Sequence, residues 1–219
     1  MIASSLDTLW NSLISSRCVE DMLISRGYSD DHPFYRTPPD FKYLSCIEGE
    51  LSVLDGRWVT PIRYPDGRVC TLVGWNPKSD SKYLTLPVDE FSKKHLLFGL
   101  DLALRTSTSY VYVVEGIFDC LALNSIGIPS VSVMGSSISS YQLAQLGMYP
   151  KGRVVGVPDR DICGRVVSGN VWKLSRYLTW SVSYPCKDMD DMVELVGEDL
   201  REPLRTIALD DTMGYLVKL

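Results

Sequence analysis

Carboxylates recur in this sequence directly after short apolar runs. Glu115-Gly116 follows the run 110–114, with Asp119 one helical turn further on. Asp159-Arg160-Asp161 follows 154–157, with Gly164 close behind, and Lys187-Asp188-Met189-Asp190-Asp191 follows 180–184. Two carboxylates about 5 Å apart repel by roughly 3 kcal/mol at an effective dielectric of ~20. The remedies are protonation of some of them or a divalent cation among them. Oxygen ligands with no His or Cys beside them favour magnesium or manganese over zinc. Asp159 and Asp161 are two apart, so an extended segment puts both on one side. Each acid also has a plainer reading. Asp161 could cap the next helix, Asp119 could be a solvated helix residue, and Asp190 and Asp191 could lie on a wet helix face. Glu115 resists such a reading, because it ends a very apolar run where Gly116 frees the backbone to turn.

The elements that must position these acids alternate along the chain. Strand-like runs at 110–114, 131–134, 154–157 and 180–184 alternate with helical patterns at 117–123, 141–146, 166–178 and 189–196. Runs apolar on both faces and joined by helices predict an α/β fold with a parallel sheet covered on both sides. In such a sheet, ligands bind beyond the carboxyl ends of the strands, where three of the four runs deliver acids. Upstream, 58–64 and 69–75 flank Pro65-Asp66-Gly67, whose residues suit a hairpin turn. At the N-terminus, Leu6, Leu9, Trp10 and Leu13 are spaced as a helix, and Val19, Met22 and Leu23 as a second one stopped by Gly27. The polar stretch 28–40, with Pro33, Pro38 and Pro39, reads as a loop or linker. The expected organisation is a helical segment and linker (1–45), a small mixed α+β basic subdomain (46–105), the sheet domain (106–200) and a short tail (201–219).

Composition narrows the classes. With 219 residues, 45% apolar and 22% charged, the chain is no disordered segment, collagen or coiled coil. No stretch approaches the ~20 apolar residues of a membrane helix. Met1 to Ser16 has no basic head and carries Asp7, so a cytoplasmic location without membrane association is expected. The net charge is −5, which excludes nucleic-acid binding through bulk charge. From Gly56 to Leu100, however, seven Lys or Arg face four acids, a local +3. The six cysteines, Cys18, Cys46, Cys70, Cys120, Cys163 and Cys186, form no CxxC pair, so they read as small buried hydrophobes with neither zinc nor disulfides.

Several of these segments carry a family resemblance. Val113-Val114-Glu115-Gly116-Ile117-Phe118-Asp119 resembles the glutamate motif of the topoisomerase–primase (Toprim) domain, and Asp159-Arg160-Asp161-Ile162-Cys163-Gly164 resembles its aspartate pair and glycine. Pro61-Ile62-Arg63, Asp66-Gly67-Arg68, Lys82-Tyr83-Leu84 and Leu97-Phe98-Gly99-Leu100 are similar, in the same order, to the catalytic core of bacterial and phage DnaG-type primases. Cys186-Lys187-Asp188-Met189-Asp190 resembles the segment that ends the Toprim region there. The likeness runs from about Gly56 to Leu195. It implies a Toprim fold holding Mg2+ or Mn2+ at Glu115, Asp159 and Asp161, the catalytic acids, with Asp119, Asp188 and Asp190 as supporting metal ligands. It further implies nucleotide and DNA contacts from Arg63, Arg68, Lys82, Lys187 and Arg160. Arg160 stands where the family usually has glycine, and Gly74-Trp75-Asn76 where it usually has an arginine.

The activity so implied is synthesis of short RNA primers on single-stranded DNA from nucleoside triphosphates, with a replicative helicase as partner. Two other readings stay open: a catalytically inactive primase-like protein that binds replication partners or DNA, and a Toprim nuclease sharing the carboxylates. The residues also lead to an expected geometry. Glu115, Asp159 and Asp161 converge at the carboxyl edge, and Lys82, Arg63 and Arg68 together form a basic wall opposite.

Overall fold

Two sheets share one apolar layer. The computed structural model describes residues 3–36, 38–86, 93–106, 109–135, 137–147, 153–157, 179–183, 189–209 and 217–218. Helices α1 (Ala3–Ser12) and α2 (Val19–Arg26) lead into a four-stranded antiparallel sheet. Its strands are β1 (Lys42–Leu44), β2 (Arg57–Arg63), β3 (Val69–Trp75) and β4 (Tyr83–Thr85), side by side in that order. The expected hairpin is β2–β3. Its register shifts between Ile62 and Arg63, so that Cys70 has no partner opposite. Such a bulge reverses which face later residues occupy. Val69 and Leu72 accordingly pack on the outer face with Leu6 and Trp10, while Cys70, Val73 and Trp75 face inward.

The second unit is α/β. After α3 (Leu100–Arg105) come β5 (Tyr110–Val114), α4 (Ile117–Ser125), β6 (Ser130–Ser132), α5 (Ser140–Gly147), β7 (Arg153–Gly156) and β8 (Thr179–Ser183). Helices α6 (Met189–Val196) and α7 (Arg201–Leu209) and the short strand β9 (Val217–Lys218) complete the described elements. The strands lie in the order β6-β5-β7-β8-β9, all described pairs parallel. Residues alternate across β5 as a two-residue period demands. Val111 and Val113 pack on one face with Leu97, Val131 and Val154, and Tyr110, Tyr112 and Val114 pack on the other with α4 and α6. That second layer also receives Trp58, Ile62, Val73 and Trp75, which joins the two sheets through one core.

The structure departs from the sequence expectations in several places. The stretch 28–40 is polar in composition yet buries Tyr28, His32, Pro33 and Phe34, with a 3-10 turn at Pro33–Tyr35. Residues 201–219 contribute a helix and an edge strand rather than a plain tail, and Leu204 of α7 is buried. Cys70 and Cys120 are buried as expected, but Cys18 and Cys46 are exposed, and all four are free thiols. Burial pushes the Cys120 thiol up to about 12, which keeps it inert. Cys163, Cys186 and the helix expected over 166–178 lie outside the described residues.

Candidate active site

Strand β5 is an interior strand, with the edge strand β6 on one side and β7 on the other. The connection from β5 through α4 goes to β6, whereas β7 is followed in the sheet by β8 on the opposite side. The strand order therefore reverses between β5 and β7, and it is beyond the carboxyl ends of strands at such a switch point that α/β folds bind ligands. Glu115 lies at that edge, one residue beyond β5, and is 8% exposed. Ser132, at the end of β6, donates through Oγ to the Glu115 carbonyl at 2.7 Å and accepts from the Met134 amide at 3.0 Å. Strand β6 thus stops at Ser132, shorter than the expected 131–134, because the hydroxyl turns the chain there. On the other flank, the Val157 amide donates to the Val113 carbonyl at 2.9 Å, so the chain leaves β7 alongside the approach to Glu115. Asp159, Arg160, Asp161, Lys187 and Asp188 lie outside the described residues. Among the described residues, no three His, Cys, Asp or Glu side chains cluster in a way that could hold an ion.

Asp119 and Asp190 are neither solvated nor on a wet face, being 5% and 2% exposed. Asp119, in the first turn of α4, accepts through Oδ1 from the backbone amides of Met189 (2.9 Å) and Asp190 (3.0 Å). It is thus an N-terminal cap for α6 delivered from another helix, satisfying amides that have no partner within α6. Gly116 makes room for this. A Cβ there would collide with Asp119 Oδ2, so any side chain would displace the carboxylate.

Asp190 is held from the N-terminal segment. Its Oδ2 accepts from Arg26 Nη2 at 2.5 Å and from the Tyr28 hydroxyl at 2.6 Å. The Arg26 guanidinium lies 3.8 Å from the centre of the Phe118 ring and 5.5 Å from that of Trp75. Burial works against the Arg26 charge, but Tyr28 and Asp190 raise its pKa above the ordinary arginine value, and it stays a cation. Burial, then the Asp190 carboxylate, raises the Tyr28 phenol, which stays protonated and donates. Behind Tyr28, the His32 ring stacks at 4.3 Å and its Nδ1 accepts from the Phe34 amide at 3.2 Å. Burial lowers the His32 pKa against the opposing pull of Glu194 and Asp190, so the ring is neutral.

The basic residues do not form one wall. Arg63 lies at the turn end of the hairpin, where it donates to the Gly67 carbonyl at 3.0 Å and to Asp40 at 3.3 Å, with Asp7 at 4.0 Å. Arg68, at the same end, is exposed and paired with Asp66 at 2.7 Å. Lys82 is exposed in the loop at the other end, roughly 20 Å away along the strands. The next residue, Tyr83, pairs with Trp75, whose ring lies 5.5 Å from the Arg26 guanidinium, so the Lys82 end is the one beside Asp190. Antiparallel pairing is the reason: residues flanking the turn share one end, and the β3–β4 loop takes the opposite one. A cavity of about 480 Å3 does adjoin Arg63, with Asp101 and Arg105, but it meets the last turn of α4 at Asn124 and Ser125, whereas Glu115 precedes the first.

Arg26, Tyr28, Ser132 and Arg57 were not apparent as site residues from the sequence. Buried Arg57 donates to the Ser81 carbonyl (2.9 Å), Ser79 Oγ (3.0 Å) and the Lys82 carbonyl (3.4 Å), and so fixes the loop that carries Lys82. Arg26 before Gly27 had the only local signal, a cation in the last turn of a helix, which its own helix explains equally well.

Residues 112–193 match the family described as Toprim-like. The DNA primase of Thermotoga maritima is 32% identical over 153 residues, which cover 66% of this chain and 27% of that protein. An uncharacterized protein of Mycoplasma pneumoniae, the MG010 homolog, is 28% identical over 208 residues, covering 90% of this chain and 92% of its own. Among solved structures, the DnaG primase catalytic domain bound to single-stranded DNA superposes with a TM-score of 0.68 at 21% identity, over 94% of this chain and 77% of that one. The chain thus spans about a quarter of the length of the Thermotoga primase. It carries a Toprim-like domain within a fold of the DnaG-primase catalytic-core type.

Proposed function

We propose that this chain is a primase-type nucleotidyltransferase, which joins ribonucleotides into short primers on a single-stranded DNA template with divalent metal ions. The observation that carries this reading is the position of Glu115, a buried acid at the carboxyl end of the interior strand β5, in a chain whose relatives include DNA primases. An oxygen-only donor set there suits magnesium or manganese. Glu115, Asp159 and Asp161 would hold the ions, which supply charge neutralisation on the triphosphate and a more acidic attacking hydroxyl. On the chain's own side, Ser132 orients the Glu115 backbone, and Lys82 offers an exposed cation at the neighbouring end of the antiparallel sheet. Lys187 and Arg160 are the remaining phosphate contacts in this reading.

A second reading, a primase-like protein that binds DNA without synthesis, has one observation in its favour: an uncharacterized Mycoplasma pneumoniae protein is similar over 90% of this chain and 92% of its own length. One assay separates them. The pure chain is incubated with single-stranded DNA, labelled nucleoside triphosphates and magnesium or manganese. Metal-dependent oligomers support the first reading, DNA binding without oligomers supports the second, and strand cleavage would overturn both in favour of a nuclease.

A further inference from the structure

Arg26 closes α2, more than eighty residues before Glu115, yet its guanidinium lies at the edge of the parallel sheet. It covers the ring of Phe118, the residue before Asp119, and at the same time holds the carboxylate of Asp190. Tyr28 donates to the same oxygen of Asp190, and Asp119 receives both leading amides of α6. Guanidinium, Phe118, Asp119, α6 and Asp190 form a closed circuit immediately C-terminal to Glu115. The side chains of Asp190 and Arg26 are 3% and 23% exposed, so the pair is shielded from water. Moving Asp190 onto a metal would strand a largely buried cation, and moving Asp119 would strand two helix amides.

We infer that Asp119 and Asp190 are not metal ligands but the two carboxylates of a latch, closed by Arg26 and Tyr28. The latch pins α2 and α6 to the sheet edge and leaves Glu115 to meet the ion with acids from outside the circuit. This inference rests on the reading of that edge as a metal site, and it departs from the supporting-ligand role that the resemblance implies for both acids.

The test is manganese binding to the full chain without nucleic acid, followed by electron paramagnetic resonance of free Mn2+, alongside thermal unfolding without metal. Glu115→Gln is expected to weaken Mn2+ at least tenfold. Asp190→Asn and the charge-free pair Arg26→Met/Asp190→Leu are expected to keep the stoichiometry, with affinity within threefold of the parent. Loss of one bound ion, or tenfold weaker binding, in either of those variants would overturn the latch. In the thermal cycle, Arg26→Met and Asp190→Leu each lower Tm, and the double variant Arg26→Met/Asp190→Leu melts no lower than the worse single one. Additive losses would overturn it independently of metal. A parent chain that binds no Mn2+ would sink the metal reading instead, and the thermal cycle would still decide on the latch.

Discussion

At the scale of single residues, chemistry and structure divide the acids between them. Glu115 is the described acid beyond the carboxyl end of β5, at the point where the strand order reverses. Glu115→Gln should therefore abolish metal-dependent primer synthesis, by about a hundredfold or more, while circular dichroism and melting temperature stay near those of the parent. Asp119 acts on structure through two amides of α6. Asp119→Ala leaves both without that acceptor in a buried setting and should cost ~1–3 kcal/mol in chemical denaturation. A variant with unchanged denaturation midpoint would show that water replaces the cap without cost.

Among the elements, the segment after α2 matters most, because it is polar in composition and buried in the fold. Gly27 ends α2 with φ of 84°, a left-handed conformation that glycine adopts without strain, and so sends Tyr28 back toward Asp190. His32 behind it gives the segment a pH dependence of known sign. Its folded pKa lies below the ordinary 6.5, so between those two values the unfolded chain binds a proton that the folded chain does not. Stability contributed by this group is therefore complete above pH 6.5 and lost as pH falls below it, with a slope of at most ~1.4 kcal/mol per pH unit. Denaturation midpoints measured from pH 7.5 down to about 5 should show this slope in the parent and lose it in His32→Phe. An identical slope in the variant would place the acid sensitivity in the carboxylates instead.

For the whole molecule, strand pairing sets Lys82 and Arg63 at opposite ends of the antiparallel sheet. Lys82 precedes Tyr83, the partner of Trp75, at the end beside Arg26 and Asp190, whereas Arg63 ties the far end to Asp40 and Asp7. Lys82→Ala should weaken single-stranded DNA binding and reduce its salt dependence by about one phosphate contact. Arg63→Ala should leave that salt slope unchanged and lower Tm. An acidic protein can bind nucleic acid this way, because at a Debye length of ~8 Å its distant negative surface is largely screened. Equal loss of binding in both variants would mean that the template runs the full length of the sheet.

Much of this was legible in the sequence. The helix–strand alternation, the hairpin and helix α6 could be read from short-range periodicity, because burial on one or both faces of an element leaves its mark within a few residues. Glu115 could be singled out for the same reason, as an acid that ends an apolar run in front of a glycine. Tertiary structure alone decided what the other acids touch. Asp119 and Asp190 belong to the same acidic pattern as Glu115, but their partners are the amides of α6 and an arginine and tyrosine more than 160 residues away in the chain. Likewise, the order of charges along the chain gives no sign that strand pairing puts Lys82 and Arg63 at opposite ends of the sheet. A carboxylate looks the same in a sequence whether it awaits a metal, caps a helix or meets an arginine. Which of these it does is set by the packing that brings a distant group within 3 Å of it, as Arg26 and Tyr28 are of Asp190.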